Sequence, residues 1–258
     1  MKIVRFAKDD GMQAHVGILD GETVFVAEGE EFVDLRKGAE VGALADVKLL
    51  PPVEPGKIVC VGLNYAAHVT ENDASRQVPD EPVLFMKPNS TIIGPNEPIA
   101  IANPEHRTDF EAELVVVIGR QARDVMESQA LDYVRGYTAG NDVSDRVLQR
   151  KDGQWVRAKG FDTYCPLGPW METDLDPSDV KVLSRLNGEA RQSQTTKSLL
   201  FSVPFLISYI SGVMTLDPGD IIMTGTPEGV GPLTAGDTIE VEIGGIGVLS
   251  NPVVNRAR

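Results

Sequence analysis

Cysteine is nearly absent. The two in 258 residues, Cys60 and Cys165, lie too far apart for a disulfide framework or a zinc-ligand spacing. Cys60 sits in the apolar run Ile58-Val59-Cys60-Val61, where a free thiol packs as a small hydrophobe. Histidine is almost as scarce, at three residues. Basic residues are outnumbered, with 24 Lys+Arg against 38 Asp+Glu and a net charge of −14. A chain so short of positive charge lacks the basic footprint that displaces counterions, which excludes a nucleic-acid partner. No run approaches the ~18 consecutive apolar residues of a membrane-spanning helix. The opening MKIVRFAKDD turns charged before the apolar core of a signal peptide is reached. These absences lead us to expect a soluble cytoplasmic protein with no membrane partner.

What is present suits a folded enzyme. With 42% hydrophobic residues, a chain of this length is expected to bury a sizeable core without staples. Lys2–Phe6, His15–Leu19 and Thr23–Ala27 read as strands, and Leu19-Asp20-Gly21-Glu22 carries a hairpin signal between the last two. Residues 28–50 are less regular, and Pro51, Pro52, Pro55 and Gly56 then punctuate the chain. We therefore expect a small β-rich N-terminal domain over 1–52 and a main domain over 53–258. In the main domain Lys57–Val61 reads as a buried strand, followed by Asn64 as helix N-cap and a short helix over Tyr65–Glu71. Residues 72–81 read as a polar loop. Further strands are expected at Glu113–Ile118, Tyr137–Val143, Asp220–Thr224, Thr238–Ile243 and Val248–Leu249, with helices at Ser128–Val134 and Ser202–Ile210. Many strands, short helices and 25 glycines argue for a β-rich α+β fold rather than a doubly wound sheet.

Six features carry possible chemistry, most with an ordinary alternative. Glu111 and Glu113 share one face at the start of an apolar strand, about 6.6 Å apart at ~3.3 Å per residue. Paired carboxylates beside a buried face need protons or a cation, and Mg²⁺ accepts such hard oxygens; a solvated strand start is the alternative. Asp142, in Gly140-Asn141-Asp142-Val143-Ser144, completes an all-oxygen triad or simply forms a turn. His68 and Glu71 at i,i+3 suit a water-activating pair, or a surface pair. Lys159 is either an anchor for an oxyanion or a solvated lysine. Arg146 and Gln149 share a helical face that can hold a carboxylate, or can face solvent. Met223-Thr224-Gly225-Thr226-Pro227-Glu228-Gly229-Val230-Gly231-Pro232 is a tight loop with exposed N–H groups, but no phosphate-loop or dinucleotide fingerprint.

Taken in order, these segments resemble the fumarylacetoacetate hydrolase family. The resemblance rests on KIVCVGLNYAAHVTEN, LFMKPNSTIIGP, TDFEAELVVVIG, GYTAGNDVSDRVLQ, RAKGFDTYCPLGPW, RLNGE and MTGTPEGVGP, and covers roughly residues 57–253. It implies a mixed β-sandwich roll, usually a homodimer. It further implies that Glu111, Glu113 and Asp142 hold Mg²⁺ or Mn²⁺, with Ca²⁺ able to stand in within crystals. His68 and Glu71 would activate water, and Lys159 would bind or polarise a substrate oxygen. Arg146 and Gln149 would hold a substrate carboxylate, and Thr226 would close the back of the site.

A 2-oxo acid can chelate such an ion, which then stabilises the enolate formed as a C–C bond breaks. The resemblance thus implies hydrolysis of a small 2,4-dioxo acid, an acylpyruvate or fumarylpyruvate. The alternative is isomerisation or decarboxylation of 2-oxo or 2-hydroxydiene dioates, including 2-hydroxyhepta-2,4-diene-1,7-dioate and oxaloacetate. The intact His68–Glu71 pair favours hydrolysis, because decarboxylation needs no water base. A non-catalytic binding protein would show a broken residue set, and phosphoryl hydrolysis would want more basic groups.

Overall fold

The β-branched run at Val115–Ile118 lies in the strand Ala112–Ile118, every residue of which is buried. A strand buried on both faces must lie between two layers. In the computed structural model, which describes residues 1–8, 13–71 and 73–257, the alternation of side chains divides accordingly. Ala112, Leu114, Val116 and Ile118 join a core with Val182, Val241, Ile243 and Leu249, whereas Val115 and Val117 face Ile3, Cys60, Cys165 and Met223.

Among the described residues the larger sheet has 12 strands. Its central order runs Cys165–Glu172, Val134–Asn141, Ala112–Ile118, Ile221–Met223, Ile58–Gly62 and Val83–Lys87. Ile221–Met223 and Ile58–Gly62 pair in parallel and most others antiparallel, so the sheet is mixed. A 5-stranded sheet, including Lys181–Leu186, Thr238–Ile243 and Gly247–Asn255, packs across the first core cluster. The helix Val203–Val213 seals one end of that cluster with Leu206, Ile207 and Ile210. Ser202 caps it by accepting from the Phe205 N–H at 3.3 Å, and Pro204 occupies its first turn. This is the β-rich sandwich roll that the sequence led us to expect.

Several expectations need correction. Residues 28–50 hold two strands, Arg36–Ala43 and Lys48–Leu50. The first is an edge strand with few buried side chains, so it carries no hydrophobic alternation to read. The helix expected at 128–134 is present, as the 3-10 helix Glu127–Tyr133. Cys165–Glu172 is a central strand that Pro166, Gly168 and Pro169 hide from propensity reading. Lys2 and Ile3 pair with Glu172 and Met171, so the N-terminal residues extend the main sheet. No helix is long and apolar enough to cross a membrane among the described residues.

Candidate active site

Two neighbouring strands bring the acidic residues together. Register pairs Ala112 with Asn141 and Glu113 with Gly140, so Glu111 and Asp142 leave the ladder side by side. The Asp142 N–H donates to the Glu111 carbonyl at 2.9 Å, and the Glu111 N–H donates to Asn141 Oδ1 at 2.9 Å. One carboxylate oxygen from each of Glu111, Glu113 and Asp142 lies within 4.8 Å of the others, and all three residues are buried.

Their charges are unevenly compensated. Lys159, buried against the solvated reading of its sequence, donates from Nζ to Glu111 Oε2 at 2.8 Å, Asp142 Oδ2 at 2.7 Å and Ser144 Oγ at 2.7 Å. Its three N–H bonds are therefore all taken by protein. Arg146 Nη1 lies 2.7 Å from Glu111 Oε1, and Lys87 Nζ lies 2.7 Å from Asp142 Oδ1. Burial alone would raise the Glu111 carboxyl, but the charges of Lys159 and Arg146 overcome it and hold it well below the usual range. Glu113 is different. Its hydrogen bond comes from the Gly225 N–H, at 2.8 Å. Burial pushes its carboxyl well above the usual range, and the charges of Asp142 and Glu111 push the same way.

That imbalance tests whether a hard divalent ion suits the site. Like charges at about 4 Å repel by about 4 kcal/mol at an effective dielectric of ~20. A single hydrogen bond to a charged group returns about 1.5–3 kcal/mol. Glu113 therefore lacks a cation that its neighbours already have. Three convergent carboxylates match the oxygen preference of Mg²⁺ or Mn²⁺, so the residues present fit such an ion.

The His68–Glu71 pair stands beside this cluster. His68 Nδ1 lies 3.0 Å from Glu71 Oε2, and Glu71 Oε1 accepts the Gly229 N–H at 2.8 Å. Burial opposes ionisation of Glu71, but the bonds from His68 and Gly229 prevail and lower its pKa. Gly229 sits at φ +95, and an added Cβ would lie 2.3 Å from the Arg191 carbonyl oxygen, so glycine is required there. The short helix spans Ala66–Thr70 and its N-cap is Tyr65, without a side-chain cap. Asn64, expected as that cap, is instead a buried clamp. Its Nδ2 donates to the Phe201 and Thr224 carbonyls at 3.1 and 2.8 Å, and its Oδ1 accepts the Phe201 N–H at 2.8 Å. Of the polar loop at 72–81, residue 72 lies outside the described residues, and 73–81 contains no helix or strand.

Arg146 and Gln149 lie on the helix Arg146–Asp152, capped by Asp145, which accepts the Val147 and Leu148 N–H groups. Arg146 Nε donates to Asp109 at 2.9 Å and its Nη1 to Gln149 Oε1 at 2.8 Å, while Nη2 is buried without a partner among the described residues. Thr226 is buried and donates from Oγ1 to the Ala112 carbonyl at 2.9 Å.

Two further residues escaped the sequence reading. Lys87 lies within the quoted LFMKP segment, yet no local pattern ties it to Asp142. Gln192 holds the back wall. It accepts the Ala112 N–H and donates to Thr226 Oγ1 and the Pro227 carbonyl, at 3.0, 2.7 and 2.8 Å. Replacing it by leucine orphans buried groups on both sides, each costing about 1–3 kcal/mol. Gln192→Leu is expected to lower unfolding free energy by on the order of 3 kcal/mol in urea titration.

A cavity of about 390 Å³ opens over the cluster, lined by His68, Glu111, Glu113, Asp142, Arg146 and Lys159, with Gln149 and Thr226 also on its wall. All the residues expected from sequence border it except Glu71, which stands behind His68.

The chain matches the family model for the fumarylacetoacetate (FAA) hydrolase C-terminal domain over residues 57–254, and an Rv2993c-like N-terminal model over 1–52. A structure of 2-hydroxyhepta-2,4-diene-1,7-dioate isomerase from Mycobacterium marinum is 43% identical, with a TM-score of 0.88 and 100% of both chains covered. The mitochondrial oxaloacetate tautomerase fahd2 of Xenopus laevis is 37% identical over 98% of this chain and 90% of its own. Maleylpyruvate hydrolase from Sphingobium sp. SYK-6, solved with manganese(II) and pyruvate, is 32% identical with a TM-score of 0.80, covering 100% of both chains.

Proposed function

The chain belongs to the fumarylacetoacetate hydrolase family, and from that premise we propose that it hydrolyses a C–C bond in a small 2,4-dioxo acid of the acylpyruvate or fumarylpyruvate type. The observation that carries this reading is the oriented His68–Glu71 pair beside a buried acidic triad. Glu111, Glu113 and Asp142 would hold Mg²⁺ or Mn²⁺, and the ion when bound supplies Lewis acidity to a chelating 2-oxo acid. The manganese and pyruvate in the maleylpyruvate hydrolase support that role.

The remaining steps belong to the chain's own residues. Glu71, kept ionised, accepts the Nδ1 proton of His68 and leaves Nε2 free to take a proton from water. The water oxygen bonds to the distal carbonyl carbon, and the C–C bond on its pyruvate side breaks. The electron pair of that bond passes to the pyruvate fragment. His68 Nε2 returns its proton to the carbon of the pyruvate fragment that received that electron pair, giving pyruvate and a carboxylic acid. Lys159 and Lys87 fix Asp142 throughout, and Lys159 and Arg146 fix Glu111. Arg146 Nη2, buried without a partner among the described residues, and Gln149 would receive the substrate carboxylate. Thr226 keeps the rear of the cavity shut. The homodimer implied by the family resemblance is part of the same proposal.

A second reading is favoured by two of the relatives: proton transfer on a 2-oxo or 2-hydroxydiene dioate, as the isomerase and the tautomerase are named. Decarboxylation of oxaloacetate belongs with it. Pyruvate release from an acylpyruvate and from oxaloacetate, each with Mg²⁺ or EDTA, separates these. Metal-dependent release from the acylpyruvate is expected. Turnover of oxaloacetate alone would overturn hydrolysis in favour of the second reading.

A further inference from the structure

On the reading that Arg146 receives a substrate carboxylate, we propose that Asp109 is the positioning residue of that arginine, fixing its Nε edge so that Nη2 is left for the ligand. Asp109 lies on the strand Thr108–Phe110, which pairs with Ser144–Asp145 on one side and Gly231–Pro232 on the other. Register sets Asp109 opposite Ser144, and the Arg146 N–H donates to the Arg107 carbonyl at 2.9 Å. The backbone thus holds Asp109 beside the start of the helix Arg146–Asp152. The Asp109 side chain is buried and borders the cavity.

A guanidinium is a rigid planar fork, so holding two of its nitrogens fixes the direction of the third. Nε of Arg146 donates to Asp109 Oδ2 at 2.9 Å. Nη1 lies 2.7 Å from Glu111 Oε1 and donates to Gln149 Oε1 at 2.8 Å. The third nitrogen, Nη2, is buried without a partner among the described residues. The two carboxylates that hold the fork are not equivalent. Glu111 also bonds Lys159 and belongs to the acidic triad. Asp109 has only arginines for partners among the described residues. Arg107 donates to it from Nε at 2.8 Å and from Nη2 at 3.1 Å, and is itself half exposed. Asp109 therefore keeps its hold on Arg146 whatever Glu111 binds. Asparagine cannot replace it. One amide oxygen would face three N–H donors from two arginines, and the amide nitrogen would add donors of its own.

The test is a double-mutant cycle on the full-length protein, read as the Kd of oxalate, an unreactive chelating dicarboxylate, by calorimetry with Mg²⁺ present. Arg146→Gln removes the receiving group and should weaken oxalate about ten- to hundredfold. Asp109→Asn leaves that group present but unaimed and should weaken oxalate about three- to tenfold. In the Arg146→Gln background, Asp109→Asn should change the Kd by less than about twofold, because its route of action is gone. Asp109→Glu, which keeps the charge, should recover part of the affinity. The rise in Tm produced by Mg²⁺ alone should persist in Asp109→Asn. Additive losses in the double variant, or loss of that Mg²⁺-induced rise, overturn the proposal, since Asp109 would then act on the site independently of Arg146. Arg107→Gln keeps the proposal open to refutation if Asp109→Asn does not fold. It leaves the Asp109–Arg146 bond in place and should hold the oxalate Kd within about twofold; a loss as large as that of Arg146→Gln overturns the role of Asp109. Unchanged oxalate binding in Arg146→Gln, or no Mg²⁺-dependent oxalate binding in the unmutated protein, overturns the underlying reading of the site as well.

Discussion

Glu113→Gln should abolish turnover and yet leave the metal-free protein at least as stable as the unmutated one. The two effects have one cause. Glu113 is buried, receives its hydrogen bond from the Gly225 N–H, and faces the charges of Asp142 and Glu111. Glutamine keeps an oxygen for Gly225 and removes the repulsion, so folding without metal loses nothing. A bound ion reverses the balance, because one of three hard ligands is gone. Metal catalysis supplies several kcal/mol of charge stabilisation. At 1.36 kcal/mol per decade, that is on the order of a thousandfold in rate. Ligand at 100 times Kd stabilises a protein by about 2.7 kcal/mol, or roughly 5–10 °C in Tm for a chain near this size. The Mg²⁺-induced rise in Tm should therefore be present in the unmutated protein and missing in Glu113→Gln. A folded Glu113→Gln protein that retains turnover would remove the triad from the mechanism.

The same contrast explains what was legible in the sequence. Glu111 and Glu113 announce themselves because two carboxylates beside Val115 and Val117 are costly without a partner. Strand alternation and turn residues likewise locate Thr238–Ile243 and the hairpin at Gly21. Lys87 and Gln192 carry no such local signature. Their roles arise from sheet register, which brings Lys87 to Asp142 across 55 positions (142 − 87) and Gln192 to Ala112 across 80. Asn64 departs from its expected role for a related reason. Its position before a short helix matches a cap, whereas its partners at Phe201 and Thr224 come from distant loops. The edge strand Arg36–Ala43 shows the opposite limit. Pairing with Thr23–Glu28 fixes its backbone, and side chains left in solvent record almost nothing of that pairing.

His68→Ala is the second variant with a large expected effect, because it separates reactions that share one binding site. Loss of a positioned general base costs about 10²–10⁴-fold. That loss should fall on kcat for acylpyruvate hydrolysis, where water must be deprotonated, and should leave Mg²⁺-dependent oxalate binding intact. Oxaloacetate decarboxylation should survive, since carbon dioxide departs without an attacking water. Glu71→Gln gives a graded version of the experiment. Its amide no longer offers two carboxylate oxygens to His68 and to the Gly229 N–H, so the imidazole loses its fixed orientation while remaining present. A smaller loss in Glu71→Gln than in His68→Ala is therefore expected for a positioning partner behind a base. Equal, near-complete losses on hydrolysis and decarboxylation alike would show that His68 serves substrate binding, and the water-activating role would fall. Unchanged hydrolysis in His68→Ala would place the base elsewhere on the cavity wall.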